Sequence, residues 1–171
     1  MTVSRKSSQV PYGPYSGLMW WRTAIKFIIG IDLGTHTGVS SVFDNGNVQS
    51  TTVTHKSDLQ SRIMGTAAII AKYKSDDCIG VAIEQPFGAH ARSLQALYSC
   101  MGAAILACEQ NGLPWVLVHL AKVKHNATGK GNASKAEMIQ AAKDRWGIEM
   151  DENAADASHV AAYAMDCGLF D

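Results

Sequence analysis

"FIIGIDLGTHTGVSSVF", residues 27–43, places one carboxylate inside a run of apolar residues. Phe27 to Ile31 read as a buried strand, Asp32 interrupts it, and the turn Leu33-Gly34-Thr35-His36-Thr37-Gly38 follows before the next apolar stretch. Two chemistries use such a pattern. A glycine- and threonine-rich turn can cradle phosphates, and a carboxylate at a strand end can hold a cation. The choice between them depends on what the rest of the chain offers Asp32.

The chain has 171 residues, a length that suits one domain with its own buried core. Nucleotide-clamping ATPases of the actin, sugar-kinase and chaperone type open on a similar stretch but close two such domains around the ligand, so the length disfavours that reading and no nucleotide cofactor is expected. Fifteen acidic and fifteen basic residues give no net charge, yet the charges are unevenly spread. Arg5, Lys6, Arg22 and Lys26 precede the first acid, Asp32, and six Lys or Arg lie between Lys122 and Arg145 against only Glu137 and Asp144. That asymmetry permits a polyanionic partner, although many solvated helix faces share it. No apolar run is long enough for a membrane span, so no membrane partner is expected. Cys78, Cys100, Cys108 and Cys167 form no CxxC pair and read as reduced thiols of a cytoplasmic protein.

Residues 1–24, with Pro11, Gly13, Pro14 and Gly17, read as a flexible basic leader, faintly like a transit peptide, and residues 25–171 as the folded domain. Strands are expected over 27–33, 38–43 and 47–54, turned at Asp44-Asn45-Gly46 into an antiparallel meander. A capping box from Ser57 opens a helix to about Lys74, and an apolar strand covers 78–84. A long helix follows over 91–110 and a fifth strand over 115–119. A loop then leads to a helix from Ser134 to Trp146, and a last helix covers 153–166. This order predicts an α/β fold, one mixed five-stranded sheet with helices on both faces.

Three acids fall where a packed core rejects charge. Asp32 lies in the first strand, Glu84 ends the strand Ile79-Gly80-Val81-Ala82-Ile83, and Asp156 shares a helical stripe with Val160 and Tyr163. A buried lone carboxylate costs several kcal/mol unless it is paired or binds a cation. Each acid alone has an ordinary explanation, as an exposed strand end or as a first-turn helix acid. All three together, if the first and fourth strands are neighbours, make a cluster of oxygen ligands that selects magnesium or manganese over zinc. Two such ions, about 4 Å apart, are a standard device for phosphodiester hydrolysis.

At this point the sequence resembles the RuvC family of Holliday junction resolvases, within the RNase H-like superfamily, from about Phe27 to Tyr163. "IGIDLGTHTGVS" resembles the family's first strand, with Asp32 at its first metal-binding acid. "VAIEQPF" resembles its second block, with Glu84 as ligand and Phe87 where an aromatic can wedge into the junction. "VKHNATGKGNASK" resembles the DNA-binding segment, with Lys124 and Lys135 at its basic positions, and "NAADASHVAAYA" resembles the last helix, with Asp156 as final acid.

The resemblance implies a magnesium-dependent endonuclease, using two ions with manganese as a substitute, that resolves four-way DNA junctions as a homodimer. Asp32, Glu84 and Asp156 would hold the ions, and Lys135 would stabilise developing charge. Lys124, Lys130, Lys135 and Phe87 would contact DNA, and the apolar face of helix 91–110 would be either the dimer interface or internal core. Taken without the family, Phe87 reads as a core plug and the Lys- and Gly-containing segment as solvated surface. Asn153 stands where the family carries an Asp or His. Asn153, His159 and Glu152 are the candidates for the fourth ligand, and Asn153 reads equally as the helix cap. Cleavage of an RNA–DNA hybrid or other branched DNA, or junction binding without cleavage, are the alternatives. Size and motifs suit a bacterial or bacteriophage enzyme.

Overall fold

The computed structural model describes residues 25–87 and 91–170; the expected leader, 1–24, lies outside them. Three strands run as a meander: β1 (Phe27–Asp32), β2 (His36–Phe43) and β3 (Val48–Thr54). Gly46, at φ 85°, makes the hairpin turn between the last two, in the left-handed region that glycine enters freely. Then come α1 (Leu59–Tyr73), β4 (Cys78–Glu84), α2 (Ala91–Asn111) and β5 (Trp115–Val118). The chain closes with α3 (Leu120–Thr128), α4 (Lys135–Trp146) and α5 (Glu152–Asp166). The sheet order is β3-β2-β1-β4-β5, with β1, β4 and β5 parallel and the meander antiparallel.

Alternation along the strands sorts the core into two layers. Ile29, Ile31, Val39, Val81 and Ile83 face α1 and α2, whereas Ile28, Val42, Ala82 and Val118 face α3, α4 and α5. The expected mixed sheet with helices on both faces is therefore formed. The face of α2 offered as a dimer interface is largely internal: Cys100, Ala104 and Cys108 are buried, with Leu97, Met101 and Ile105 packed beside them. Tyr98 and Leu106 stay on its outer side.

Local chemistry sets three boundaries that differ from the sequence reading. Asp58, not Ser57, caps α1, its Oδ1 accepting from Ser61 N at 2.7 Å. Asp151, not Asn153, caps α5; its Oδ1 accepts from Ala154 N at 2.9 Å and from the Thr52 hydroxyl at 2.6 Å. The segment after β5, expected as a loop, contains α3. Its ends are fixed by His119 Nδ1, which accepts from Ala121 N, and by Gly129 in the left-handed conformation at φ 76°. The helix was hidden because it is only nine residues long, too short for its stripe of Leu120, Val123 and Ala127 to repeat, and because a histidine rather than Ser, Thr, Asp or Asn caps it. The capping box of α4 is present as expected, Ser134 N donating to Glu137 Oε2 at 2.8 Å.

Helix α5 lies directly on the sheet. A Cβ on Gly30 would stand 2.6 Å from Ala161 N and closer still to the Ala157 carbonyl, and one on Gly38 would strike the Asn153 carbonyl. Small residues on both sides, Gly30 and Gly38 below and Ala154, Ala157 and Ala161 above, permit this approach. It brings the first turns of α5 against the end of β1 that carries Asp32.

Candidate active site

Asp32 and Glu84 end two adjacent parallel strands. Gly30 pairs with Ala82 and Ile31 with Ile83, so the next step of the same register sets Asp32 beside Glu84. Because side chains alternate, both carboxylates point to the face of the sheet that α5 covers, with Gly30 and Ala82. Helix α5 brings Asp156 over them.

The three carboxyls lie within range of one another's charge. Burial, followed by the charges of Glu84, Asp156 and Glu152, pushes the Asp32 carboxyl up to about 8, against a lowering pull from Lys135. Glu84 is pushed up to about 7 by burial and Asp156, opposed by Lys124. Asp156 is pushed up to about 6 by burial and Glu152, opposed by Lys124 and Lys135. Carboxylates that raise one another in this way are strained by like charge. Among the described residues no three His, Cys, Asp or Glu side chains close on one point as a formed metal centre does. The donor set nevertheless suits a hard divalent cation: it is all oxygen, and two lysines do not neutralise its repulsion.

The other expected residues divide. Lys135, at the start of α4, forms an ion pair with Glu152. Lys124 sits on α3 rather than in a loop, and its Nζ donates to the Ala133 carbonyl at 2.7 Å, tying the α3–α4 connection down beside Glu84 and Asp156. Lys130 points elsewhere, pairing with Glu137 at 2.7 Å in the first turn of α4. Phe87 is 82% exposed just after the buried Pro86, which removes the core-plug reading. Asn153 lies in the first turn of α5, over Gly38.

His159 is not brought to the carboxylates. It is buried, its Nε2 donates to the Met138 carbonyl at 2.9 Å, and its ring packs against Trp146 at 5.3 Å between centroids. Burial holds it below the usual imidazole range, which suits a neutral core histidine joining α4 to α5. Glu152 is the neighbour that acts on both Asp32 and Asp156.

A further polar network was not anticipated from the sequence. Thr37 is fully buried; its hydroxyl donates to the Gly34 carbonyl at 3.1 Å and accepts from His55 Nε2 at 3.1 Å. It braces the turn directly after Asp32. Only the second threonine in "GTHTG" signals it, and threonine is common in any turn.

Comparison with known proteins gives first the class and then the family. Two solved structures align over most of the chain, each 21% identical: "Thermus thermophilus RuvC structure" with a TM-score of 0.67, and "T. thermophilus RuvC in complex with Holliday junction substrate" with 0.69. They cover 83% and 84% of this chain and 96% of each of theirs. The fold is thus RNase H-like, with carboxylates ending two parallel central strands. The family model described as crossover junction endodeoxyribonuclease RuvC matches residues 28–166. The RuvC proteins of Hahella chejuensis and Geobacter metallireducens are 32% and 33% identical, covering 78% and 81% of this chain and 84% and 89% of theirs. The chain belongs to the RuvC family of crossover junction endodeoxyribonucleases.

Proposed function

We propose that this protein resolves four-way DNA junctions by hydrolysing one phosphodiester in each of two opposed strands, with magnesium held by Asp32, Glu84 and Asp156. The observation that carries the reading is the shared site of these three largely buried carboxylates, each raised by burial and by its acidic neighbours. The bound ions, two of magnesium or manganese, supply Lewis-acid activation of water and stabilisation of the leaving oxygen. The chain's own groups do the rest. The two strand ends fix Asp32 and Glu84, α5 sets Asp156 against them, and Glu152 adds charge next to Asn153, which offers only a neutral oxygen. Lys135, released from Glu152 by an incoming phosphate, faces the charge that develops at phosphorus.

Lys124 and Lys135 bind the DNA backbone near the cut, Lys130 contacts it farther out, and the exposed Phe87 stacks on bases at the branch point. Paired nicks require two copies, and the outer strip of α2 with Tyr98 and Leu106 is the apolar surface offered to a partner. The setting we propose is the cytoplasm of a bacterium or of a phage-infected cell. The protein carries four free cysteines, and among the described residues no helix is long and apolar enough to cross a membrane.

Incubation with labelled four-way junction, linear duplex and RNA–DNA hybrid, with and without magnesium, tests the reading. Magnesium-dependent cutting of the junction, abolished in Asp32→Asn while junction binding persists, is the expected result. Cutting of the hybrid alone would reassign the substrate, and binding without metal-dependent cutting would make the protein a junction-binding module.

A further inference from the structure

On the face of the sheet away from α5, the N-terminal parts of α1 and α2 enclose a cleft of about 400 Å³, with Leu59 and Ala96 in its wall and Ser57, Arg62, Arg92, Ser93 and Gln95 as its polar lining. Among the described residues that line it, none is acidic. The Nε of Arg62 is enclosed without a hydrogen-bond partner among the described residues, a costly arrangement for a charged donor, whereas Arg92 is exposed at the rim.

Strand direction puts this cleft at the catalytic end of the molecule. β2 is antiparallel to both β1 and β3, so β3 runs the same way as β1 and ends at the same edge of the sheet as Asp32. The chain enters α1 from that edge, and α2 starts there too, after Glu84 and the exposed Phe87. This end of the sheet therefore presents carboxylates on one face and two guanidiniums with hydroxyl and amide donors on the other, with Phe87 in the connection that runs from β4 to α2.

We infer that the Arg62–Arg92 cleft is a second DNA-contact site, which grips the phosphodiester backbone of a duplex arm leaving the branch point on the α1–α2 side. This rests on the proposed junction-cutting activity and extends it to the path of the substrate. Guanidiniums match phosphate geometry, and Ser57, Ser93 and Gln95 supply neutral donors to phosphate oxygens without reading sequence. Contacts of this kind release counterions, so they appear in the salt dependence of binding.

The test is fluorescence anisotropy of a labelled four-way junction and a linear duplex over a salt series, in calcium without magnesium. It uses the full chain carrying Arg62→Gln, Arg92→Gln, or both. Each single change is expected to weaken junction binding several-fold and to lower the slope of log affinity against log salt by about 1, with Arg92→Lys restoring most of that slope. Arg92 is exposed, so its variants report on binding even if Arg62→Gln fails to fold. Wild-type affinity and slope in folded Arg92→Gln, with a wild-type protein that binds and cuts junctions, would overturn the second site and leave the activity standing. A wild-type protein that neither binds nor cuts junctions would overturn both.

Discussion

Lys135, the first residue of α4, and Glu152, the first of α5, form an ion pair beside Asp32 and Asp156. The pair ties the lysine proposed to face the scissile phosphate to an acid that belongs to the carboxylate group. Both side chains are open to solvent, so neither Lys135→Ala nor Glu152→Gln is expected to shift the melting temperature appreciably. Single-turnover cleavage by Lys135→Ala is expected to fall by about 10²-fold at saturating junction, as for loss of one preorganised charge. Glu152→Gln is expected to raise the magnesium concentration needed for half-maximal cleavage, since one acid is removed from the group. An unchanged magnesium requirement would place Glu152 outside the metal's influence.

The three raised carboxyls fix a pH dependence and its sign. Asp32, Glu84 and Asp156 titrate at about 8, 7 and 6 in the folded protein, against 3.8, 4.5 and 3.8 ordinarily. The folded state therefore holds protons more tightly than the unfolded chain, and metal-free stability is expected to fall as pH rises from about 4 to about 8 and then level off. Magnesium binds the ionised forms and opposes the loss. Thermal melts from pH 4.5 to 9 in EDTA and in magnesium check this. The two curves should coincide near pH 4.5 and diverge most above pH 8; parallel curves would show that the metal does not bind these groups.

Thr37 links His55 to the turn that leaves Asp32. Thr37→Val keeps the shape and removes the hydroxyl, leaving the Gly34 carbonyl and His55 Nε2 without their partner. The expected loss of stability is about 1–3 kcal/mol, measured by urea unfolding. Cleavage is expected to fall more than junction binding, because the change loosens the turn behind Asp32 and touches no DNA-facing residue. Equal losses in both would mean that the network serves only the fold.

Gly30 tests the docking of α5. Its Cβ in Gly30→Ala would stand 2.6 Å from Ala161 N, inside backbone that cannot yield as a flexible side chain does. Destabilisation of about 3 kcal/mol or more is expected, read by circular dichroism and denaturant unfolding. Gly131→Ala, where the added atom would meet nothing nearer than the Ala121 carbonyl at 3.4 Å, is the control and should be close to neutral.

Five strands and four of the five helices were legible in the sequence, and so were three acids in places where a core rejects charge. Each leaves a local mark: apolar runs bounded by turns, capping residues, and charges lodged in apolar segments. α3 left too little, because nine residues show its stripe of Leu120, Val123 and Ala127 only once and its cap is a histidine. The proposed fourth ligand was equally illegible, since the candidates Glu152, Asn153 and His159 all lie within about one turn of Asp156 along the helix.

Only tertiary structure separates them. The packing of α5 on Gly30 and Gly38 fixes its rotation, which buries His159 against Met138 and Trp146 and leaves Glu152 facing Lys135. Helical spacing says which residues share a face. Which way that face turns is set by contacts with strands more than a hundred residues away in sequence, and these leave no trace in the local pattern.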